Sequence, residues 1–423
     1  METFFAKLKS IFTDKNLRKR VLFMVFFLVV FRMLAAIPIP GVDQARLAGV
    51  LAGNQLFSIL NVFSGGGLST FSIIMLGVGP YITASIIMQL LTIMVPRLKE
   101  MYQEEGDRGR IRFAQYSRML AVPLAVLQGF TLVTLLARQG VIAINSPFAY
   151  VVNLLVITGG SILLMWIGEL LTEFGIGNGV SFLIFAGIVA AIPTHIAQLQ
   201  FTFNSSQIIE LIAYAVAGLA LVAGVVFITE AERPIPVSYA RQVRGDRVIG
   251  GGATFIPLKM NQAGVIPIIF ALSILLFPQL AASFLSGLSY GWAHTIANAL
   301  TAFLQNSWLY AIVYFILVVV FTYFYTAVTF DPEQMSNNLQ KSGAFVPGIR
   351  PGQATTEYIS RIVTRVTLVG AVSLGIIAVF PLIMKSITGI TSLALGGTAL
   401  LIVVSVVIDL IKRIDAQLSM KEY

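Results

Sequence analysis

One broken apolar segment constrains this chain more than any other feature. It is Leu56–Glu100, LFSILNVFSGGGLSTFSIIMLGVGPYITASIIMQLLTIMVPRLKE. It opens on a half-apolar run, Leu56–Phe63, of about two helical turns, far short of the roughly 20 residues a helix needs to cross a bilayer. Ser64-Gly65-Gly66-Gly67 follows, a stretch that does not hold a helix and that reaches positive φ without steric cost. Then comes a long apolar run, Phe71–Val95, with a weak point of its own at Gly77-Val78-Gly79-Pro80. The pattern predicts a short helix that enters the membrane without crossing, a glycine hinge, and then a helix that crosses. Lipid offers no hydrogen bonds to broken backbone, so such a segment is buried in protein or lines a watery cavity.

The membrane setting follows from composition. Of 423 residues, 57% are hydrophobic and 11% charged, against about 25% charged in soluble domains. Apolar runs of helix length exclude a β-barrel, whose strands alternate over about ten residues. The absence of cysteine excludes disulfides and thiolate metal sites. The two histidines, His195 and His294, are expected alone in loops, which argues against a histidine metal or catalytic cluster. The net charge of +9 reads as membrane topology rather than nucleic-acid binding.

Met1–Arg20 interleaves Lys7, Lys9, Lys15, Arg18, Lys19 and Arg20 with Phe4, Phe5, Leu8, Ile11 and Phe12. It reads as a helix lying on an anionic membrane face. Spans are expected at Val21–Ile37, in the broken segment, and at Phe113–Ala137, Phe148–Leu171 and Gly179–Leu199. A second set is expected at Gln207–Thr229, Gln262–Ser283, Ser307–Thr329, Ile362–Met384 and Ser392–Ile411, leaving 412–423 as a tail. With both termini in the cytoplasm, all of the 28 basic residues but Arg32, Arg46, Arg138 and Lys385 fall inside, which supports ten spans in that orientation. Ten spans divide into an N-terminal half, 21–205, and a C-terminal half, 206–411. An odd number of spans per half makes the halves run in opposite directions, the inverted-repeat plan of many transporters.

Two inside loops are long, Glu230–Lys259 and Asp331–Tyr358. In the first, Ile235, Val237 and Tyr239 alternate as in a strand, and Gly245-Asp246 marks a hairpin turn. Orientation needs only a few charges near helix ends, so both loops read as docking surfaces for a cytosolic partner rather than plain anchors.

The spans hold little chemistry. Glu169, Glu173, Glu210, Glu230 and Asp409 sit near predicted span ends, leaving a proton relay little to work with. The glycine clusters at Gly65–Gly67 and Gly250–Gly252 lack the Lys-Ser/Thr of a nucleotide loop. What remains is a cavity with apolar and small polar walls, able to seal by dewetting. A secondary transporter of small solutes fits the span count but lacks buried carboxylates, and a structural scaffold needs neither hinge nor short helix.

Several long stretches, in order, carry a family resemblance: IPIPGVD (Ile37–Asp43), NVFSGGGLSTFSIIMLGVGPYITASIIMQLL (Asn61–Leu91), MWIGELLTEFGIGNGVSFLIFAGIVAAIP (Met165–Pro193), PLKMNQAGVIPIIFA (Pro257–Ala271), FYTAVTFDPEQMSNNLQKSGAFVPGIRPG (Phe324–Gly352) and GGTALLIVVSVVIDL (Gly396–Leu410). In these the chain resembles the SecY family of protein-conducting translocon subunits. The resemblance implies an all-α integral membrane protein of ten helices, in two pseudo-symmetric inverted halves around an hourglass pore. It implies a re-entrant plug helix over 56–68, with Leu56, Phe57, Leu60, Asn61, Phe63, Ser64, Gly65 and Gly66. The pore ring falls on Val78, Ile82, Val180, Ile184, Ile269 and Ile402, with valine at Val78 and Val180 where the family often has isoleucine. A lateral gate between the second and third spans and the seventh and eighth takes in Thr83, Gln89, Asn261 and Gln262. The long loops become docking sites for the ribosome and the SecA motor ATPase, with Arg241, Arg244, Arg247 and Arg350 as contacts. Pro234 and Pro236, expected before the strand, and the Gly250–Gly252 run depart from common members. The implied activity is a passive channel in the bacterial cytoplasmic membrane. It passes unfolded secretory polypeptides, recognises signal sequences and releases transmembrane segments into membrane lipids. It works with small SecE-like and SecG-like subunits, uses no cofactor and is not an enzyme.

Overall fold

In the computed structural model the described residues are 14–43, 46, 47, 49, 61, 64–142, 146–202, 208–239, 242–244, 247–249, 253–286, 290–388 and 391–422. The first helix, α1 (Lys15–Ala35), starts at Asp14, whose carboxylate accepts the Asn16 N–H at 3.0 Å. Lys15–Arg20 therefore continue into the first apolar run without a break. The next helices are α2 (Gly79–Met94), α3 (Pro96–Gln103), α4 (Gly106–Arg138), α5 (Pro147–Phe174), α6 (Gly179–Thr202) and α7 (Ile208–Glu230). Four strands follow: β1 (Glu232–Tyr239), β2 (Gln242–Arg244), β3 (Arg247–Ile249) and β4 (Ala253–Lys259). The rest is α8 (Ile266–Leu285), α9 (Gly291–Gln305), α10 (Ser307–Thr329), α11 (Pro332–Lys341), β5 (Ala344–Phe345), α12 (Gln353–Thr388) and α13 (Thr391–Glu422).

This is a mostly helical membrane protein. Gly106–Arg138, Pro147–Phe174, Ser307–Lys341 and Gln353–Met384 are each long and apolar enough to span a bilayer. A fifth candidate is α2 with α3, bent by 111° at their junction. The bend has a local cause: Val95 precedes Pro96 and is extended (φ −117, ψ 103), because the proline ring disfavours the helical region for the residue before it. Shorter apolar helices lie at Gly179–Pro193, Ala215–Glu230 and Ile266–Gln279.

At the weak point Gly77-Val78-Gly79-Pro80, α2 starts at Gly79, after turns and the Ser72 bridge over residues 71–78. Phe71 (φ 50) and Gly77 (φ 59) are both left-handed, a conformation no right-handed helix contains. Several boundaries differ from the sequence expectation. The third span begins seven residues early, at Gly106, and the ninth at Gln353, inside the predicted loop. His195 and His294 lie within α6 and α9 rather than in loops. The helix α9 itself falls where only a connection was expected. Its buried Ala293 and Ala297 share one face, while Trp292 and Ile296 are exposed.

The chain forms two compact units, residues 1–208 with 272–306 and 406–423, and residues 209–271 with 307–405. In the first, the main core joins Ile39, Leu47, Leu68, Phe71, Met75, Leu76, Leu132, Leu136 and Ile157. The IPIPGVD stretch edges it: Pro38 bridges Ser72 on one side and Val42 bridges Ile142 on the other, both antiparallel. In the second, α10 packs along α12, and Gly375 lets the Phe315 ring lie against the helix backbone.

Close backbone contact is built from glycine. A Cβ on Gly160 of α5 would collide with the Ile73 carbonyl, and one on Gly179 with the Gly168 carbonyl. We predict that Gly160→Val lowers thermal stability in detergent by about 1–3 kcal/mol, the usual cost of overpacking a tight core. An unchanged melting curve would contradict the contact.

Candidate functional site

The irregular backbone between Ser64 and Val78 is the centre of the site. Leu68, Phe71, Ile74 and Met75 in it are fully buried. Buried backbone needs partners for its N–H and C=O groups, and this stretch finds them one by one. Short turns supply Phe71 N–H to Leu68 C=O at 3.1 Å, Met75 N–H to Ser72 C=O at 3.0 Å and Gly77 N–H to Ile74 C=O at 2.9 Å. Hydroxyls supply more: Leu68 N–H donates to Ser64 Oγ at 3.0 Å, and Ser72 Oγ donates to the Gly67 carbonyl at 3.1 Å. From the neighbouring α5, Ser161 Oγ donates to the Gly77 carbonyl at 2.9 Å. The small residues of α5 thus both make room for this backbone and satisfy it.

Of the predicted plug residues, Leu56, Phe57, Leu60 and Phe63 lie outside the described residues. Asn61, Ser64, Gly65 and Gly66 form the anchored end of the same segment. Ser69 N–H donates to Asn61 Oδ1 at 2.9 Å and Gly66 N–H to the Asn61 carbonyl at 2.9 Å. The positive φ of Gly65 (65°) and Gly66 (87°) is what turns the chain there.

The predicted ring residues fall in both units. Val78, Ile82, Val180 and Ile184 belong to the first, Ile269 and Ile402 to the second. Val78 caps α2, and its carbonyl accepts the Ile82 N–H at 3.0 Å, which sets the two on one face. Val180 lies beside Gly168 of α5 at the start of α6, one turn from the buried Ile184. Ile269 and Ile402 are buried in α8 and α13.

Thr83, predicted at the gate, lines an apolar cavity of about 280 Å³ with Ile86, Ile87 and Leu90 of α2 and Ser273, Ile274 and Phe277 of α8. Gln89, two turns on, holds Ser85 by its amide nitrogen at 3.5 Å, while its buried Oε1 has no partner. Asn261 and Gln262 lie in the turn between β4 and α8. Asn261 Nδ2 donates to the Gly264 carbonyl at 3.0 Å and its buried Oδ1 is unpartnered. Two buried amide oxygens without donors are costly.

The two long loops make one small folded body. β1 is central, pairing antiparallel with β4 from Glu232↔Lys259 to Ser238↔Ala253 and with β5 at Ser238↔Phe345 and Tyr239↔Ala344. Pro234 and Pro236 lie inside β1, not before it. Met260 N–H donates to the Ala231 carbonyl, so by the antiparallel alternation Pro234 and Pro257 face each other as a non-hydrogen-bonded pair and neither lacks a ladder bond there; β5 does not reach that far along the strand. Beneath the sheet, Ile235, Leu258 and Val346 pack on Ile359, Ile362 and Val363 at the start of α12. The predicted hairpin is present as β2 paired to β3, with Arg244 opposite Arg247; Gly245, Asp246 and Arg241 lie outside the described residues. Arg350 stands exposed in a turn whose Gly348 (φ 80) and Gly352 (φ 101) are left-handed. Its carbonyl accepts Thr355 Oγ1 at 2.9 Å, and Ser336 Oγ of α11 donates to the Gly352 carbonyl at 2.9 Å.

One polar link escaped the sequence reading. Arg118 of α4 donates from Nε to Glu169 of α5, a residue 51 positions away. No local spacing announces such a pair, and Arg118 and Glu169 read separately as a topology charge and a span-end acid. Among the described residues no group of three or more His, Asp or Glu is placed to hold a metal ion.

Comparison with known proteins adds a family. The sequence profile of SecY matches residues 72–411. The protein translocase subunit SecY of Mycobacterium tuberculosis is 40% identical over 445 residues, covering 100% of this chain and 99% of its own. That of Streptomyces galbus is 42% identical over 429 residues, covering 97% of each. Among solved structures, a protein-conducting channel aligns with a TM-score of 0.66 at 20% identity, over 93% of this chain and 90% of that one. Sec61 in the canine ribosome–channel complex from the endoplasmic reticulum aligns with a TM-score of 0.62 at 19% identity, over the same shares.

The loop body carries its own test. Ile235, 2% exposed, is central to its core, and Ile235→Ala should cost about 2–5 kcal/mol there. Limited proteolysis should then cut within Glu232–Lys259 and Asp331–Gly352 much faster while the spanning helices stay intact; unchanged cleavage would contradict a shared core.

Proposed function

The chain belongs to the SecY family, and on that premise we propose that it is the pore of a protein translocase, a passive channel for unfolded polypeptides. The observation that carries this is the buried, non-helical segment 64–78 joined to α2, with Val78 and Ile82 at its exit. A machine that must stay shut to ions and open for a chain needs such a part. Branched apolar side chains exclude water from a narrow gap and yield to a passing polypeptide. In this reading Val78, Ile82, Val180, Ile184, Ile269 and Ile402 form that ring, and residues 56–68 are the plug.

Ten spans with both termini in the cytoplasm accord with the basic-residue asymmetry, and the membrane is the bacterial cytoplasmic membrane. The inverted halves 21–205 and 206–411 hinge around the pore. Thr83, Gln89, Asn261 and Gln262 belong to a lateral gate through which signal sequences and transmembrane segments reach lipid. Hydrogen bonds between helices in membranes contribute about 0.6–2 kcal/mol, enough to bias such a gate without locking it. The folded body of β1, β4, β5 and α11 presents Arg350, and the stretch of the β2–β3 hairpin contributes Arg241, Arg244 and Arg247 to the same docking surface. These face the SecA motor or the ribosome, where arginines suit RNA phosphates. SecE-like and SecG-like subunits complete the assembly. The chain itself hydrolyses nothing, so the driving free energy comes from the partner.

The direct experiment is transport of a labelled secretory precursor into proteoliposomes holding this chain and a SecE-like subunit. Protease-protected precursor is expected only with SecA and ATP; uptake of small solutes by the chain alone would favour a secondary transporter instead. The ring is tested by Ile82→Asn and Ile402→Asn. Both are expected to raise ion leak and to admit precursors with weakly hydrophobic signals, and unchanged leak and stringency would remove those residues from the ring.

A further inference from the structure

The helix α9, between α8 and α10, has three distinct sides. Ala293 and Ala297 are buried, one turn apart, and dock it on the protein. About a quarter turn round the helix, Trp292, Ile296, Ala299 and Phe303 form a second apolar stripe, spaced i, i+4, i+7 and i+11. This stripe is uncovered: Trp292 is 60% exposed and Ile296 44%. The exposed His294, Asn298 and Gln305 lie on the opposite side, with Thr301. Thr295 and Thr301 donate their hydroxyls to the Gly291 and Ala297 carbonyls of the same helix, at 3.1 and 2.8 Å. Aromatic rings flank the stripe. Tyr290 stacks on Trp292 with centroids 6.2 Å apart, and Trp308 is exposed at the start of α10.

No Lys, Arg, Asp or Glu occurs between Lys259 and Asp331. A connection that ran through water would have no reason to avoid charge over that length. The topology proposed above puts Lys259 and Asp331 in the cytoplasm, so α8 crosses outward, α10 crosses back and α9 lies at the outer face. Only Asn306 separates α9 from the long apolar helix that follows, which keeps α9 at the membrane surface. Water suits the polar side and hydrocarbon suits the Trp292 stripe. The boundary between them suits both, and Trp and Tyr concentrate there.

Resting on that topology, we propose that α9 is an interfacial anchor. It lies along the outer membrane surface with Trp292, Ile296 and Phe303 set among the headgroups and upper acyl chains of the outer leaflet. Helices of this kind usually add a cationic face that draws them to anionic lipid. α9 has none, so its attachment is apolar. The passage from the first compact unit to the second falls just after Asn306, and the anchor gives that junction a set depth.

The chain has no cysteine of its own, so Ile296→Cys and Asn298→Cys each accept a single spin label. In phosphatidylcholine nanodiscs the ratio of collisions with oxygen to collisions with a water-soluble nickel chelate is expected to be several-fold higher at 296 than at 298. The ratios are expected to be the same in nanodiscs rich in phosphatidylglycerol; a difference between 296 and 298 that appears only there overturns the apolar attachment. Equal, water-like ratios at both positions overturn the anchor. So does a label at 296 shielded from both reagents, because protein rather than lipid would then cover the stripe. A second readout leaves α9 unaltered: Trp166→Phe with Trp308→Phe makes Trp292 the only tryptophan. Lipids brominated high on the acyl chain are expected to quench it strongly and aqueous iodide weakly. The reverse order, or no quenching by either, overturns the anchor. Neither readout needs transport, so a chain that moves no precursor counts against the channel reading alone.

Discussion

Backbone that is neither helix nor strand must find its hydrogen-bond partners inside the protein once water is excluded, and much of the segment 64–78 does so. Its carbonyls and amides are taken by short turns, by the hydroxyls of Ser64 and Ser72, and by Ser161 from α5. The rest of the first unit is arranged to allow this. Gly160 admits the Ile73 carbonyl, Gly187 admits the Gly65 backbone, and the IPIPGVD stretch lends its extended edge to residues 71–73. A uniform bundle of apolar helices would need none of these small residues. Their presence is the cost of keeping a non-spanning element in a membrane protein, and a channel that must close is a reason to keep one.

The second unit solves a different problem. The segments Glu230–Lys259 and Asp331–Tyr358 are separated in sequence by two apolar helices, yet β1 takes β5 as a neighbour and the sheet shares its core with the first turns of α12. The sheet is thereby joined to a continuous helix of 36 residues, and through the Met260–Val265 turn to α8. Gly370 of α12 sits against the Met260 carbonyl with no room for a side chain, so the turn packs directly on the helix backbone.

Much of this was legible in the residues. The glycine hinge, the break before α2, the strand at Ile235–Tyr239 and the hairpin around Gly245-Asp246 all follow from local rules on glycine, alternation and turns. What escaped was non-local. Nothing near Phe71 says that it is left-handed, because its conformation is imposed by the pairing of 71–73 with 37–39. The Arg118–Glu169 pair, the hydrogen bond from Arg32 to the Gly65 carbonyl and the placing of Pro234 opposite Pro257 depend on contacts between distant positions. The helix α9 was missed because a short amphipathic helix is neither apolar enough for a span nor polar enough for a loop.

Amide hydrogen exchange of the chain in lipid nanodiscs, read peptide by peptide over 64–78, tests the central claim most directly. Buried and internally satisfied backbone should exchange as slowly as the neighbouring helix α5, although it is not helical. Exchange over this segment as fast as in exposed loops would mean that water reaches it, and would contradict an account in which protein, not solvent, satisfies the broken chain.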